Sequence, residues 1–205
     1  MKPGETNPER LWTRTRRAAY AEITDIAMRL FLSQGFDATT IDEIASASGI
    51  SRRSFFRYFG TKEDIVLSDL VREGEEARRA LEERPESEPP WTALRNVVLS
   101  VSGPSHDHER RLKVTKMMYE TPSLRSRCFE KHLQWQEQIV PEVRRRLAGE
   151  HAVEQWPDVR ARSLVASAIA CLDIAGEAWA RADGDVPLGE LLEAAFDAVG
   201  RTREP

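Results

Sequence analysis

The chain has 205 residues, 40% of them hydrophobic and 31% charged, with a formal net charge of −4. That length is enough for one or two domains with a proper core, and the balance is that of a soluble, helix-rich protein. The N-terminus, Met1 to Arg10, is polar and lacks the apolar core of a signal peptide. The longest apolar stretch, Leu164 to Trp179, is interrupted by Asp173 and Glu177, and a membrane span needs about 20 mostly apolar residues. Two cysteines, Cys128 and Cys171, make no disulfide framework. The expectation is a cytoplasmic protein with reduced thiols and no membrane partner.

The charge is unevenly spread. Arg10 to Lys62 holds nine Lys/Arg against five acids, while the acidic excess lies elsewhere. A basic head on an acidic body hints at a polyanionic partner.

Taken in chain order, the apolar residues follow a helical period and no strand pattern appears. Ile23, Ala27, Leu30 and Phe31 mark one face of a first helix, about Arg14 to Gln34, which Gly35 ends. In "ATTIDEIASASG", Thr39 or Thr40 caps a short second helix, and Glu43, three residues after Thr40, completes a capping box. Gly49 ends it. Ser51 caps a third helix that carries "RRSFFRYF". Gly60-Thr61 opens a fourth, with Glu63 and Asp64 in its favourable first turn. It runs to about Arg84, where "RPESEPP" breaks it. Five more helices follow, about Trp91–Ser102, Asp107–Glu120, Ser123–Ala148, Asp158–Ala182 and Pro187–Val199. Pro141 should kink or split the third of these. The fold expected is all-α with about nine helices. A helix-turn-helix domain spans residues 11–60, helix 61–84 connects, and residues 61–205 form a regulatory and dimerisation domain.

The second and third helices fit a helix-turn-helix. Ile44 is apolar where the two helices pack, Ala45 is small where they cross, Gly49 allows the turn, and Ile50 and Phe55 return to the core. In this motif the second helix enters the major groove N-terminus first, which puts Arg52, Arg53 and Ser54 toward the bases. Arginine can bond both acceptors of a guanine edge. Phe55 and Phe59, four apart, point to the core. Phe56 and Tyr58 lie off that face, the first against a sugar or thymine methyl, the second offering its hydroxyl to a phosphate. Arg57, Lys62 and the hydroxyls of Thr39 and Thr40 are further candidates for the DNA backbone. Arg14, Arg16 and Arg17 could reach a neighbouring backbone or minor groove.

These residues carry a resemblance. "LFLSQGFDATTIDEIASASGISRRSFFRYFGTKEDI" resembles the DNA-binding domain of the tetracycline-repressor (TetR) family of bacterial regulators, over residues 14 to 70. The C-terminal layout, with "ETPSLRSR", is similar to that of mycofactocin-regulator-like members. The resemblance implies a homodimer on a palindromic operator, usually repressing, with a small-molecule effector whose binding moves helix four. It carries Thr40, Arg52, Arg53, Ser54, Phe56, Tyr58 and Lys62 over as DNA-contacting positions. Many relatives have tyrosine where this chain has Phe56, so a phosphate hydroxyl contact is lost there.

The last two helices, about residues 158–199, are the expected dimer surface. Leu164, Ala168, Cys171, Ala175 and Trp179 run down one side, joined by Leu188, Leu191, Leu192, Ala195, Phe196 and Val199. For an effector pocket the large apolar groups are Met117, Met118, Tyr119, Phe129, Trp135 and Trp179, with Asp173 as a polar anchor. His106-Asp107-His108 and the Cys128–His132 pair fall short of a metal site. No phosphate loop or nucleophile–base–acid set can be argued, so neither a cofactor nor an enzyme is expected. The leading reading is a DNA-binding regulator acting as a repressor. The alternatives are an activator, a helical adaptor, or an enzyme using the C-terminal cavity.

Overall fold

The computed structural model describes residues 8–102, 107–150 and 156–200, and among these it is built of ten α-helices and no strand. It divides into two compact units, Met1–Val66 and Leu67–Pro205. The division falls six residues beyond the boundary read from the sequence, because the short helix after Gly60 packs with the first unit.

In the first unit, α1 (Pro8–Gln34) packs on α2 (Ile41–Ala47) and α4 (Glu63–Val66), and α2 packs on α3 (Arg52–Tyr58). Ile23, Ala27, Met28 and Phe31 of α1 are buried with Phe36, Ile44, Ala45, Phe55, Phe59 and Ile65. Each large side chain so buried contributes about 1.5–3 kcal/mol. The α1 helix begins at Pro8, six residues before the apolar period becomes readable.

The second unit starts with α5 (Ser68–Glu82) and continues through α6 (Pro90–Val101), α7 (His108–Glu120), α8 (Pro122–Glu150), α9 (Pro157–Arg181) and α10 (Leu188–Gly200). The single fourth helix expected from the sequence is two helices, interrupted at Leu67 (φ −94°, ψ 10°). Ile65, Val66 and Leu67 are all buried. Pro141 does not split α8. It sits on the exposed side, where the Glu137 carbonyl it leaves unbonded can face water.

Helix α9 is central: α6, α7, α8 and α10 all pack on it, while α5 closes against α6 and α8. Its most apolar window has a mean hydropathy of 1.3, enough by length and composition to cross a membrane. Ten of its residues are buried instead in this unit's core. That burial corrects the dimer face read from the sequence. Leu164, Ala168, Cys171, Ala175 and Trp179, with Leu192 and Phe196, close the chain's own interior.

The "RPESEPP" connector is held by a buried arginine. Arg146 of α8 donates to the carbonyls of Leu81, Arg84 and Pro85 at 2.7, 2.8 and 2.8 Å, and pairs with Glu142 at 2.9 Å. One guanidinium thereby gathers three carbonyls at and just beyond the C-terminal end of α5.

Candidate nucleic-acid interface

The helix-turn-helix is fixed by local hydrogen bonds. Thr40 caps α2: its hydroxyl accepts from Glu43 N at 3.2 Å, and Thr40 N donates to Glu43 Oε2 at 2.7 Å. Donation to the carboxylate from Thr40 N, and from the Thr40 hydroxyl at 2.9 Å, holds the Glu43 carboxyl below its usual pKa range. The turn after α2 is a Schellman motif, with Ile50 N donating to Ala45 O at 2.9 Å and Gly49 N to Ser46 O at 3.1 Å. Gly49 has φ 65°, a left-handed conformation that glycine adopts without a Cβ penalty. Ser51 then caps α3 by accepting from Ser54 N at 3.1 Å. Beneath α3, the Phe55 and Phe59 rings lie 5.4 Å apart and are buried, as their spacing predicts.

The opposite side of α3 faces solvent. Arg52, Arg53, Phe56 and Arg57 are exposed. Arg52 pairs with Asp42 at 2.9 Å and its guanidinium lies 5.8 Å from the Phe56 ring centre. A pair this exposed stabilises by about 0.2–1 kcal/mol, so Arg52 can exchange Asp42 for a base edge at little cost. Arg53 has no ion-pair partner among the described residues. Phe56 is 46% exposed and meets Phe55 edge-on at 5.6 Å. It thus gives Arg52 an aromatic face to lie against, although it lacks a hydroxyl. Arg57 lies over the half-buried Tyr58 ring at 5.5 Å. Arg16, Arg17 and Arg29 of α1 are also exposed; the side chain of Arg14 lies outside the described residues.

Two residues read from the sequence as backbone contacts are turned inward. Thr39 is 1% exposed, and its hydroxyl donates to Gly35 O at 2.8 Å while accepting from Gln34 Nε2 at 3.2 Å. Lys62 Nζ donates to the carbonyls of Phe36 and Thr39 at 2.8 and 3.2 Å and lies 4.3 Å from the Phe36 ring centre. Both groups tie the α1–α2 loop together. The sequence shows a hydroxyl and an ammonium beside a helix start, but not that the loop's own carbonyls take them.

The pocket candidates separate in the second unit. A small, wholly apolar cavity of about 30 Å³ lies among Leu81, Leu94, Val97, Trp135, Ile139 and Ile169, with Leu172 also on its wall. Of the seven residues chosen from sequence, Trp135 alone lines it. Met117 and Met118 are half-buried on α7, and Phe129 is exposed. Trp179 is buried against the His108 ring, 5.3 Å away. The lining residues missed were aliphatic side chains, whose periodicity signals core and nothing more specific.

Asp173 belongs to a polar cluster beside the cavity. Its carboxylate straddles His132 Nδ1, with Oδ2 at 3.2 Å and Oδ1 at 3.1 Å. Oδ2 is angled for a hydrogen bond; Oδ1 is left buried without one. At the ring's other nitrogen, His132 Nε2 lies 3.8 Å from Cys128 Sγ. Burial lowers the imidazole's pKa, but the hydrogen bonds to Asp173 and Cys128 outweigh it and raise the value to about 10. Tyr119 donates its hydroxyl to the Asp173 carbonyl at 3.0 Å. Burial, with the Asp173 charge nearby, pushes that hydroxyl's pKa well up, so it remains a donor. Cys128, His132 and Asp173 are close enough together to suggest a metal site. However, each ring nitrogen already faces a partner, Nε2 the sulfur and Nδ1 the carboxylate, and three protein groups with no fourth fall short of a closed tetrahedral site among the described residues. Of the other histidine cluster, His106 lies outside the described residues, and Asp107 caps α7 by accepting from Arg110 N.

Two short helices joined by a glycine turn, the second presenting a basic first turn to solvent, define a helix-turn-helix DNA-binding protein. Residues 23–68 match the bacterial regulatory proteins of the tetR family, and residues 88–204 match the MftR C-terminal domain. The chain is 31% identical over 191 residues to the putative mycofactocin biosynthesis transcriptional regulator MftR of Mycobacterium tuberculosis, covering 91% of this chain and 92% of that one. It is 30% identical over 181 residues to the HTH-type transcriptional regulator TcmR of Streptomyces glaucescens, covering 84% and 77% respectively. Among solved structures it shares its fold with the TetR-family repressor FadR of Thermus thermophilus (TM-score 0.61, 24% identity, 91% of this chain and 95% of that one). The chain belongs to the TetR family of bacterial transcriptional regulators and carries an MftR-type C-terminal domain. It is a DNA-binding regulator and not an enzyme.

Proposed function

We propose that this regulator is a repressor that binds a palindromic operator in the bacterial cytoplasm as a homodimer and is released by a small apolar effector. The observation that carries the reading is the exposed first turn of α3. Arg53 has no partner there, Arg52 has only a weak one, and the helix beneath is locked by Ser51, Phe55 and Phe59. Arg52, Arg53 and Ser54 read base edges. Thr40, Phe56, Arg57 and Tyr58 lie against sugar and phosphate. Thr39 and Lys62 act from within, by holding the loop that places α2.

The dimer pairs through the outward side of the last two helices. Along α9, Val159, Ser163, Ala170 and Ile174 follow one helical stripe and are exposed, Val159 at 58% and Ile174 at 63%. Ala194, Ala198 and Val199 are exposed on α10. Small residues flanked by large apolar ones allow two copies of a helix pair to approach closely, and a two-fold contact needs only one such surface.

The cavity in the second unit is about 30 Å³, room for about one water molecule. An effector seated in this cavity therefore requires α5, α6, α8 and α9 to part. Helix α5 follows α4 directly in the chain, so its displacement is the natural route to the DNA-binding unit.

Selection of bound sequences from a pool of random duplexes, with the full-length protein, tests the reading. The expected result is a palindrome with half-sites about one helical turn apart. A pool that yields no enriched sequence contradicts it.

A further inference from the structure

Cys128, His132 and Asp173 form a buried chain of three functional groups that DNA binding does not use. Cys128 and His132 are four apart on α8, so they share a face, and both are about 95% buried. Asp173 comes from α9 and holds the imidazole at its other nitrogen, Nδ1. Trp135, one turn further along α8, packs its ring 4.9 Å from His132 and lines the apolar cavity. A nucleophile, a base and an orienting carboxylate are thus joined, and Trp135 touches both the imidazole and the apolar space.

We propose that Cys128 is a modification site for small apolar α,β-unsaturated carbonyl compounds, activated by His132 and positioned by Asp173. When the proton shared by the pair sits on Nε2, the sulfur is a thiolate. It adds to the β-carbon, an S–C bond forms, and the carbon–carbon π pair moves onto the carbonyl oxygen as an enolate. The Nε2 proton then goes to the α-carbon, leaving His132 neutral. Nothing is oxidised, no group departs and no water is consumed, which suits a closed apolar site better than peroxide or acyl chemistry. The raised pKa of His132 supports the same proton position.

The same molecule contains its own control. Cys171 of α9 is equally buried, but burial pushes its thiol pKa up, and no histidine bonds to it among the described residues. The two sulfurs differ in partner rather than in access.

The test uses the reduced full-length protein and but-3-en-2-one at neutral pH, with adducts located by peptide mass mapping over time. Cys128 should react at least about ten times faster than Cys171. Asp173→Asn and His132→Gln should each slow Cys128 about ten-fold and leave Cys171 unchanged. If His132→Gln accelerates Cys171, that variant has loosened the fold, and the near-isosteric Asp173→Asn decides. Equal rates at the two cysteines, no adduct at Cys128, or an unchanged Cys128 rate in Asp173→Asn would each overturn the proposal.

Discussion

In the first unit the arginines of α3 stand in solvent, with Asp42 and the faces of Phe56 and Tyr58 as their partners. In the second unit Arg146 and His132 are buried and bonded on several sides. A cation left in water costs nothing to desolvate and stays available for a phosphate or a base edge. A cation taken inside must be fully paired, and it then fixes the geometry of whatever pairs with it. One unit keeps its charge for a partner, and the other uses charge to hold its own helices.

The contrast breaks most visibly at Arg146. Arg146→Ala would leave Glu142 and the carbonyls of Leu81, Arg84 and Pro85 short of their buried donor. A loss of about 3–5 kcal/mol is expected, read as a lower denaturant midpoint. A surface arginine such as Arg53 should give no comparable shift in the same melt.

His132 provides a pH test on the buried side. Its folded pKa of about 10 lies above the ordinary value of 6.5. The stability it adds is therefore complete below about pH 6.5 and is lost as pH rises toward 10. Cys128 and Asp173 flank the ring, and Tyr119, Glu177 and Arg125 lie around the same cluster. Asp173→Asn should flatten the decline of unfolding free energy between pH 7 and pH 10. An identical slope in the variant would show that His132 is not its source.

On the exposed side the effect moves from stability to binding. Arg53→Ala should cost about 1–3 kcal/mol at the cognate operator with no change in thermal midpoint. Smaller still, Thr40→Ala removes the α2 cap and should cost about 1 kcal/mol of stability. Asp42→Ala should cost under about 1 kcal/mol of stability and tighten DNA binding slightly, because Arg52 loses its internal competitor and a repelling carboxylate goes with it. Equilibrium denaturation and DNA titration on the same preparations separate these outcomes.

The same division explains what was legible in the sequence. The helix-turn-helix rests on local signals, namely Thr40 with Glu43, Gly49, Ser51, and the i, i+4 pair of Phe55 and Phe59. Each acts within a few residues, so spacing alone revealed it. Thr39 and Lys62 were misplaced because their partners, such as the Phe36 carbonyl 26 residues away from Lys62, follow from the folded loop. In the second unit, helix positions were readable from periodicity. Which side of α9 faced inward was not, since that helix is apolar or small almost all round. The cluster needed α8 and α9 together: Asp173 and His132 are 41 residues apart, and no local pattern joins them.

The central claim is that the exposed first turn of α3 reads base sequence. Its most direct test is a titration of wild type and Arg53→Ala against the selected operator and a scrambled duplex, at matched salt. The account predicts that Arg53→Ala lowers the ratio of the two affinities about ten-fold while affinity for the scrambled duplex falls only modestly. An unchanged ratio, or an equal loss on both duplexes, would contradict it.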